Sequence, residues 1–193
     1  MTAGSDWQLY DGRGQRKYLS AEERARFVAA LADYPTQTRL FGLTLHYTGC
    51  RLSEALNLTA GRVDPSEGVI VLETLKKRRS GIYRAVPVPP LLIAELSDLA
   101  VAPDGRLWPW SRATGWRRIK QVMRQAGIEG TPASPKGIRH GYGVAAMTAG
   151  IPCPLIQRWM GHARLETTSC YLQAFGQEER ALARLMWETD VAS

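Results

Sequence analysis

Apolar positions recur at helical spacing along most of this chain, and the interruptions divide it into elements. After Ser20-Ala21-Glu22-Glu23, the residues Phe27, Val28, Leu31 and Tyr34 mark one buried helix face. Ser20 with Glu23 three positions on is a capping box, and Pro35 closes the run. A second helix is predicted over 37–48 and a third over 52–58, with Leu52 and Leu56 facing inward and Ala55 an open candidate. Gly49 breaks the pattern between them and throws Arg51 into a turn. The period then changes. Val69-Ile70-Val71-Leu72 suits a strand, Arg84-Ala85-Val86-Pro87-Val88 is its predicted partner, and the basic segment 76–81 is the hairpin connection. Pro89-Pro90 ends the sheet, and 91–99 returns to a helical pattern. Pro103-Asp104-Gly105 marks a loop, and Trp108-Pro109-Trp110 is expected to dock irregularly on the core. A further helix over 114–125 would carry Trp116, Ile119, Val122 and Met123 on one face. From Pro135 onward the pattern is helical over 135–149, 154–160, 165–175 and 178–187, with Gly150 and Gly161 as stops. The sum is a mostly α chain with one small antiparallel β-sheet.

Length and composition change this picture little. At 193 residues, 45% hydrophobic and 22% charged, the chain has the make-up of one domain with a real core. Residues 1–18 are polar and glycine-rich and read as a flexible basic lead-in, leaving 19–193 as the domain. Three cysteines without a C-x-x-C spacing argue against a disulfide framework and against structural zinc. With no run of membrane-spanning length and no apolar leader, a cytoplasmic protein is expected. Charge matters more: 25 Lys and Arg against 18 Asp and Glu give a formal net charge of +7. Such a surface suits a polyanionic partner.

Three short segments gather the residues with chemistry. Thr48-Gly49-Cys50-Arg51-Leu52-Ser53-Glu54 puts Arg51 at a helix start, and Lys136-Gly137-Ile138-Arg139-His140 does the same for Arg139. Gly161-His162-Ala163-Arg164-Leu165-Glu166-Thr167-Thr168-Ser169-Cys170-Tyr171 sets His162 nine residues before Tyr171, across a polar break between two helical patterns. A phosphodiester resists attack because its anionic oxygens repel the nucleophile, so charge growing in the transition state must be neutralised. Guanidinium forks do this well, since they stay charged and bind phosphate bidentately. A phenol attacks once a base or nearby cations help remove its proton. One tyrosine, two arginines, a histidine and a lysine therefore suffice to break a phosphodiester without a metal. His46, in an apolar helical stretch, reads as a core histidine, and the other six tyrosines, Tyr142 among them, read as packing or surface residues.

In their order and spacing these segments resemble the tyrosine recombinases, the phage integrase family, from about Tyr18 to Leu185. The resemblance implies the catalytic-domain fold of that family and a catalytic set of Arg51, Lys76, Lys136, Arg139, His162 and the nucleophile Tyr171. Glu54 and His140 support this set. Arg51 and Arg139 match the pair that clamps the scissile phosphate, and His162 matches the histidine that binds a non-bridging oxygen or helps the tyrosine. Tyr171 would form a 3′-phosphotyrosine and release a 5′-hydroxyl. The hairpin lysine protonates that leaving oxygen. Lys76 is favoured and Lys77 competes, because hairpin spacing does not fix the register, while Lys77, Arg78 and Arg79 also serve as DNA contacts. The implied partner is double-stranded DNA, bound by a homo-tetramer joined through the 178–187 helix. Its apolar residues Leu182, Leu185 and Met186 otherwise serve self-packing. No metal and no cofactor are implied.

Two departures stand out. The family has histidine three positions before the second arginine, and this chain has Lys136, as the related type IB topoisomerases do. A protonated lysine donates to a phosphate oxygen but does not readily take a proton. Glu54 is expected to pair with Lys136 and hold it. The stretch before Tyr18 is too short for the N-terminal helical domain that most members carry, so a catalytic fragment or one of the short members is expected, with weaker, strongly salt-dependent DNA binding. Beside site-specific recombination stand two other readings: a non-catalytic DNA-binding relative, and a topoisomerase-like nick-and-reseal enzyme.

Overall fold

Ser20 opens the first helix as its capping box predicts. In the computed structural model, which describes residues 8–74 and 81–162, the Ser20 hydroxyl accepts from the Glu23 amide at 3.2 Å. The Glu23 carboxylate accepts in return from the Ser20 amide at 2.9 Å. Helix α1 (Ala21–Leu31) buries Phe27, Ala30 and Leu31. Helix α2 (Thr36–Thr48) follows, and α3 (Leu52–Leu56) begins after a sharp break. Gly49 makes that break. Its φ of +58° is left-handed, and a Cβ there would lie 2.4 Å from the Tyr142 ring, so both backbone and space demand glycine.

A 3-10 turn at Ala60–Arg62 leads into a three-stranded antiparallel sheet, β1 (Val63–Asp64), β2 (Val69–Glu73) and β3 (Tyr83–Pro87), in the order β1-β2-β3. Leu72 pairs with Arg84 and Ile70 with Val86, and these four side chains share the buried face. The first strand, β1, had no signal in the hydrophobic pattern. Helices α4 (Pro90–Ser97), α5 (Arg112–Gln125), α6 (Pro135–Thr148) and α7 (Cys153–Met160) complete the described chain. The main core gathers Phe27, Leu31 and Phe41 with Trp108 and residues from the sheet and α5. Trp108 is fully buried without belonging to a helix or strand. It sits edge-on to Phe41 with centroids 5.0 Å apart, and its indole donates to the Gln37 carbonyl at 3.0 Å.

Three expectations need correction. Trp116 is 45% exposed and does not share the buried face of α5. That face carries Gly115, Ile119, Val122 and Met123, and Gly115 lets Leu56 and Phe41 approach closely. The segment expected as a flexible lead-in is anchored at Leu9 and Tyr18, while residues 12–15 are exposed. Leu9 and Tyr18 are buried against Val144, Ile156 and Met160, and Lys17 donates its amide to the Leu9 carbonyl at 2.8 Å. The carboxylate of Glu54 is held by Arg51 and Arg84, which take the part expected of Lys136. Lys76, Lys77, Arg78, Arg79, Tyr171 and the helices predicted over 165–175 and 178–187 lie outside the described residues. Among the described residues no helix is long and apolar enough to cross a membrane.

Candidate active site

The starts of α3 and α6 face each other across a cleft of about 290 Å³. Arg51 comes from one wall, and Lys136, Arg139 and His140 come from the other; Arg112 and Trp116 of α5 close a third side. Local sequence explains the placement. Arg51 is the N-cap of α3, in extended backbone just beyond the Gly49 turn. Ser134 caps α6 by accepting from the Gly137 amide at 3.1 Å, with Pro135 in the first turn. The amide end of α6, where the helix dipole is positive, therefore opens onto the cleft beside Lys136.

Arg139 is anchored rather than waving. Its Nη1 donates to the Gly49 carbonyl at 2.7 Å and its Nη2 to the Met160 carbonyl at 2.8 Å. Two of its five N–H donors thus fix the plane of the fork. Arg51 is fixed by Glu54, whose one oxygen accepts from Arg51 Nη1 at 2.8 Å while the other accepts from the Arg51 amide at 2.9 Å. Burial alone would push the Glu54 carboxyl up. The Arg84 and Arg51 charges, with their hydrogen bonds, more than cancel that and hold it below the usual carboxylate range.

His162 follows the Gly161 turn at the end of α7 and is buried. Burial, and then the positive charges of Arg139 and Arg51, push its pKa down to about 2. At neutral pH it is an uncharged imidazole with one N–H donor and one acceptor nitrogen. His140 is fully buried beside Arg139 and adds to the depression at His162. His46 lies elsewhere, stacked on Phe27 between α1 and α2 with centroids 6.4 Å apart. Tyr142 packs on Gly49 and is pushed up to about 12 by burial. Both act as packing residues, as the sequence indicated. Among the described residues no group of three or more His, Cys, Asp or Glu side chains is arranged to hold a metal ion.

Four sequence-predicted residues, Arg51, Lys136, Arg139 and His140, therefore meet at one cleft, with His162 close behind the arginines and Glu54 beneath Arg51. Sequence reasoning missed Arg84, Arg112 and Trp116. Arg84 had a usable signal: it stands two residues before Val86 on the inward phase of β3, an odd place for a surface cation.

Residues 17–178 match the phage integrase family. The chain belongs to that family. Among its phage integrase relatives, the tyrosine recombinase XerA of Pyrococcus furiosus is 29% identical over 167 residues, covering 80% of this chain and 56% of that protein. The chain spans about half the length of the curated relatives it matches. The crystal structure of XerA recombinase superposes with a TM-score of 0.76 at 24% identity, over 88% of this chain and 64% of that one. XerH site-specific recombinase, solved bound to difH substrate as a pre-cleavage complex, gives 0.70 at 20% identity, over 89% and 58%. These likenesses establish the tyrosine recombinase catalytic-domain fold, mostly α with a small antiparallel sheet.

Proposed function

We propose that this chain, over residues 19–193, is the catalytic domain of a site-specific DNA recombinase that cuts and rejoins DNA through Tyr171. The observation that carries the reading is the convergence of Arg51 and Arg139, each immobilised by its own acceptors, on one cleft with Lys136 and His140. The names of its relatives and the substrate-bound neighbour support DNA as the partner.

A scissile phosphate in the cleft would receive the two guanidinium forks and a Lys136 donor on its non-bridging oxygens. Charge developing at phosphorus is then met by groups that need no rearrangement. The Tyr171 oxygen bonds to phosphorus, the bond from phosphorus to the 5′-oxygen breaks, and the phenolic proton passes to a neighbouring acceptor. Neutral His162 donates its N–H to the phosphate, or accepts the phenolic proton once the bound phosphate offsets the arginine charges that depress its basicity. Lys76, or Lys77, protonates the departing 5′-oxygen. An incoming 5′-hydroxyl reverses each step, so the phosphotyrosine stores the bond energy and no nucleotide, metal or cofactor is consumed. The same reading places the protein in the cytoplasm, on duplex DNA contacted by Lys77, Arg78 and Arg79, as a homo-tetramer joined through the 178–187 helix.

Covalent trapping tests it. The protein and its Tyr171→Phe variant are incubated without metal with nicked duplexes from around its own gene and run on a denaturing gel. An adduct with the parent and none with the variant is the expected result. Binding without an adduct on any fragment would overturn it in favour of a non-catalytic DNA-binding role. Relaxed plasmid without junction products would mark nick-and-reseal activity instead.

A further inference from the structure

Arg84 lies on the buried face of β3 and is not among the residues lining the cleft, yet its guanidinium joins three elements that carry the candidate site. Its Nη2 donates to Glu54 of α3 at 2.6 Å, and its Nη1 donates to the Thr74 hydroxyl at the end of β2 at 2.9 Å. Its Nε donates to the Trp159 carbonyl in the last turn of α7 at 2.7 Å. The group also lies directly under the turn that delivers His162: a Cβ on Gly161 would come within 2.9 Å of the Arg84 Cζ.

We propose that Arg84 is a positioning residue for strand cleavage, the buried counter-cation that lets Glu54 orient Arg51 without neutralising it. This rests on the recombinase reading above. The charges make the case. Glu54 is buried and ionised, with one oxygen on Arg51 and the other on Arg84. Removing one cation from a buried carboxylate leaves its charge under-compensated, at a large cost, so the remaining cation is pulled in more tightly. With Arg84 removed, Arg51 would be drawn into closing the charge of Glu54 and lost to a phosphate. With Arg84 present, Glu54 is already compensated from below. The Arg51 charge remains directed at the cleft, held by one side-chain bond and one backbone bond. The same guanidinium, lying against Gly161, ties Glu54, the Thr74 hydroxyl and the Trp159 carbonyl together, so the turn before His162 and the carboxylate that holds Arg51 share one group.

The test uses Arg84→Met, Arg84→Lys, Glu54→Gln and the double variant Arg84→Met with Glu54→Gln. Adduct formation is timed on the nicked duplex that traps the parent, made either with an ordinary phosphodiester or with a methylphosphonate at the scissile position. The methylphosphonate lacks one anionic oxygen and so has less need of the Arg51 charge. Arg84→Met is expected to slow adduct formation about 100-fold on the phosphodiester and less than about tenfold, relative to the parent, on the methylphosphonate. Adding Glu54→Gln should recover about tenfold on the phosphodiester, because the uncompensated carboxylate is gone, and Arg84→Lys should retain more activity than Arg84→Met. Equal losses on both substrates with no recovery by Glu54→Gln would reduce Arg84 to a packing role and overturn the proposal. Thermal unfolding of the same set stands apart from cleavage. Arg84→Met should lower Tm by about 10 °C, with a clear part of that regained in the double variant. Additive losses there would also overturn it. A parent that forms no adduct, by contrast, counts against the recombinase reading, and the unfolding cycle alone then decides whether Arg84 compensates Glu54.

Discussion

His46 and His162 are both buried, both hold pKa values far below a free imidazole, and both sit near an arginine, yet their surroundings differ in kind. His46 is pushed to about 3 mainly by burial, then by Arg24, in a pocket whose other wall is the Phe27 ring. His162 is pushed to about 2 by burial and then by four charged or titratable neighbours, Arg139, Arg51, His140 and Arg84. A depressed histidine therefore says little about chemistry. What separates the two pockets is whether the neighbouring cations are tied to backbone and carboxylate acceptors beside an open cleft, as Arg139 and Arg51 are, or contact the ring away from that cleft, as Arg24 does at 3.5 Å from His46 Nε2.

The sharpest way to break this comparison is to remove each ring. His162→Ala should slow covalent adduct formation about 100-fold or more, in line with the loss of one positioned proton donor or acceptor. His46→Leu should leave the rate within about twofold, since a well-packed apolar replacement suits its pocket. A large loss from His46→Leu in single-turnover trapping would erase the distinction.

A second comparison sets Gly161 against Gly150. Both have left-handed φ, +64° and +73°, but a Cβ at Gly150 meets nothing within 4 Å while one at Gly161 meets the Arg84 guanidinium. Gly150→Ala should cost about 1 kcal/mol of backbone strain and leave cleavage alone. Gly161→Ala should cost about 2–3 kcal/mol and also depress cleavage, because Arg84 must move. Urea unfolding beside the trapping assay reads both, and equal costs with equal activity would show that the close approach at Gly161 does not matter.

The smallest effect is a slope. Each histidine has a folded pKa below the unfolded value near 6.5, so the unfolded chain binds the extra protons. The stability they contribute is complete above about pH 6.5 and declines as pH falls toward 3. The decline should approach about 1.4 kcal/mol per pH unit for each imidazole. His46→Leu should remove one of the two contributions between pH 6 and pH 4, measured by denaturant midpoints. An unchanged slope would mean that His46 takes up its proton without unfolding.

Much of this was readable from the residues in particular places. The Ser20 cap, the two principal strands and the glycine break before Arg51 each follow from local chemistry that the fold leaves intact. The convergence of Arg51 and Arg139 was readable only because both stood inside segments resembling one family. Periodicity was silent on it. Trp116 misled because an aromatic ring dominates a helical pattern, while the position that packs one residue earlier is Gly115, which contributes no hydrophobicity at all. The partner of Glu54 was unreadable for a different reason. Lys136 and Arg84 are both cations at a distance in sequence, and only the register that sets Arg84 opposite Leu72 on the inward face decides between them.

Gly49 has a consequence for the order in which the molecule is made. Its carbonyl receives Arg139, and its bare Cα face receives the Tyr142 ring. The contact that shapes the arginine pair is thus also a docking contact between α2 and α6, elements widely separated in sequence. Contacts of that span close late, after local helices have formed. A nascent or partly unfolded chain holds its two arginines on separate pieces, with no shared cleft in which a phosphate could be gripped. The grip and the completed fold arrive in the same event.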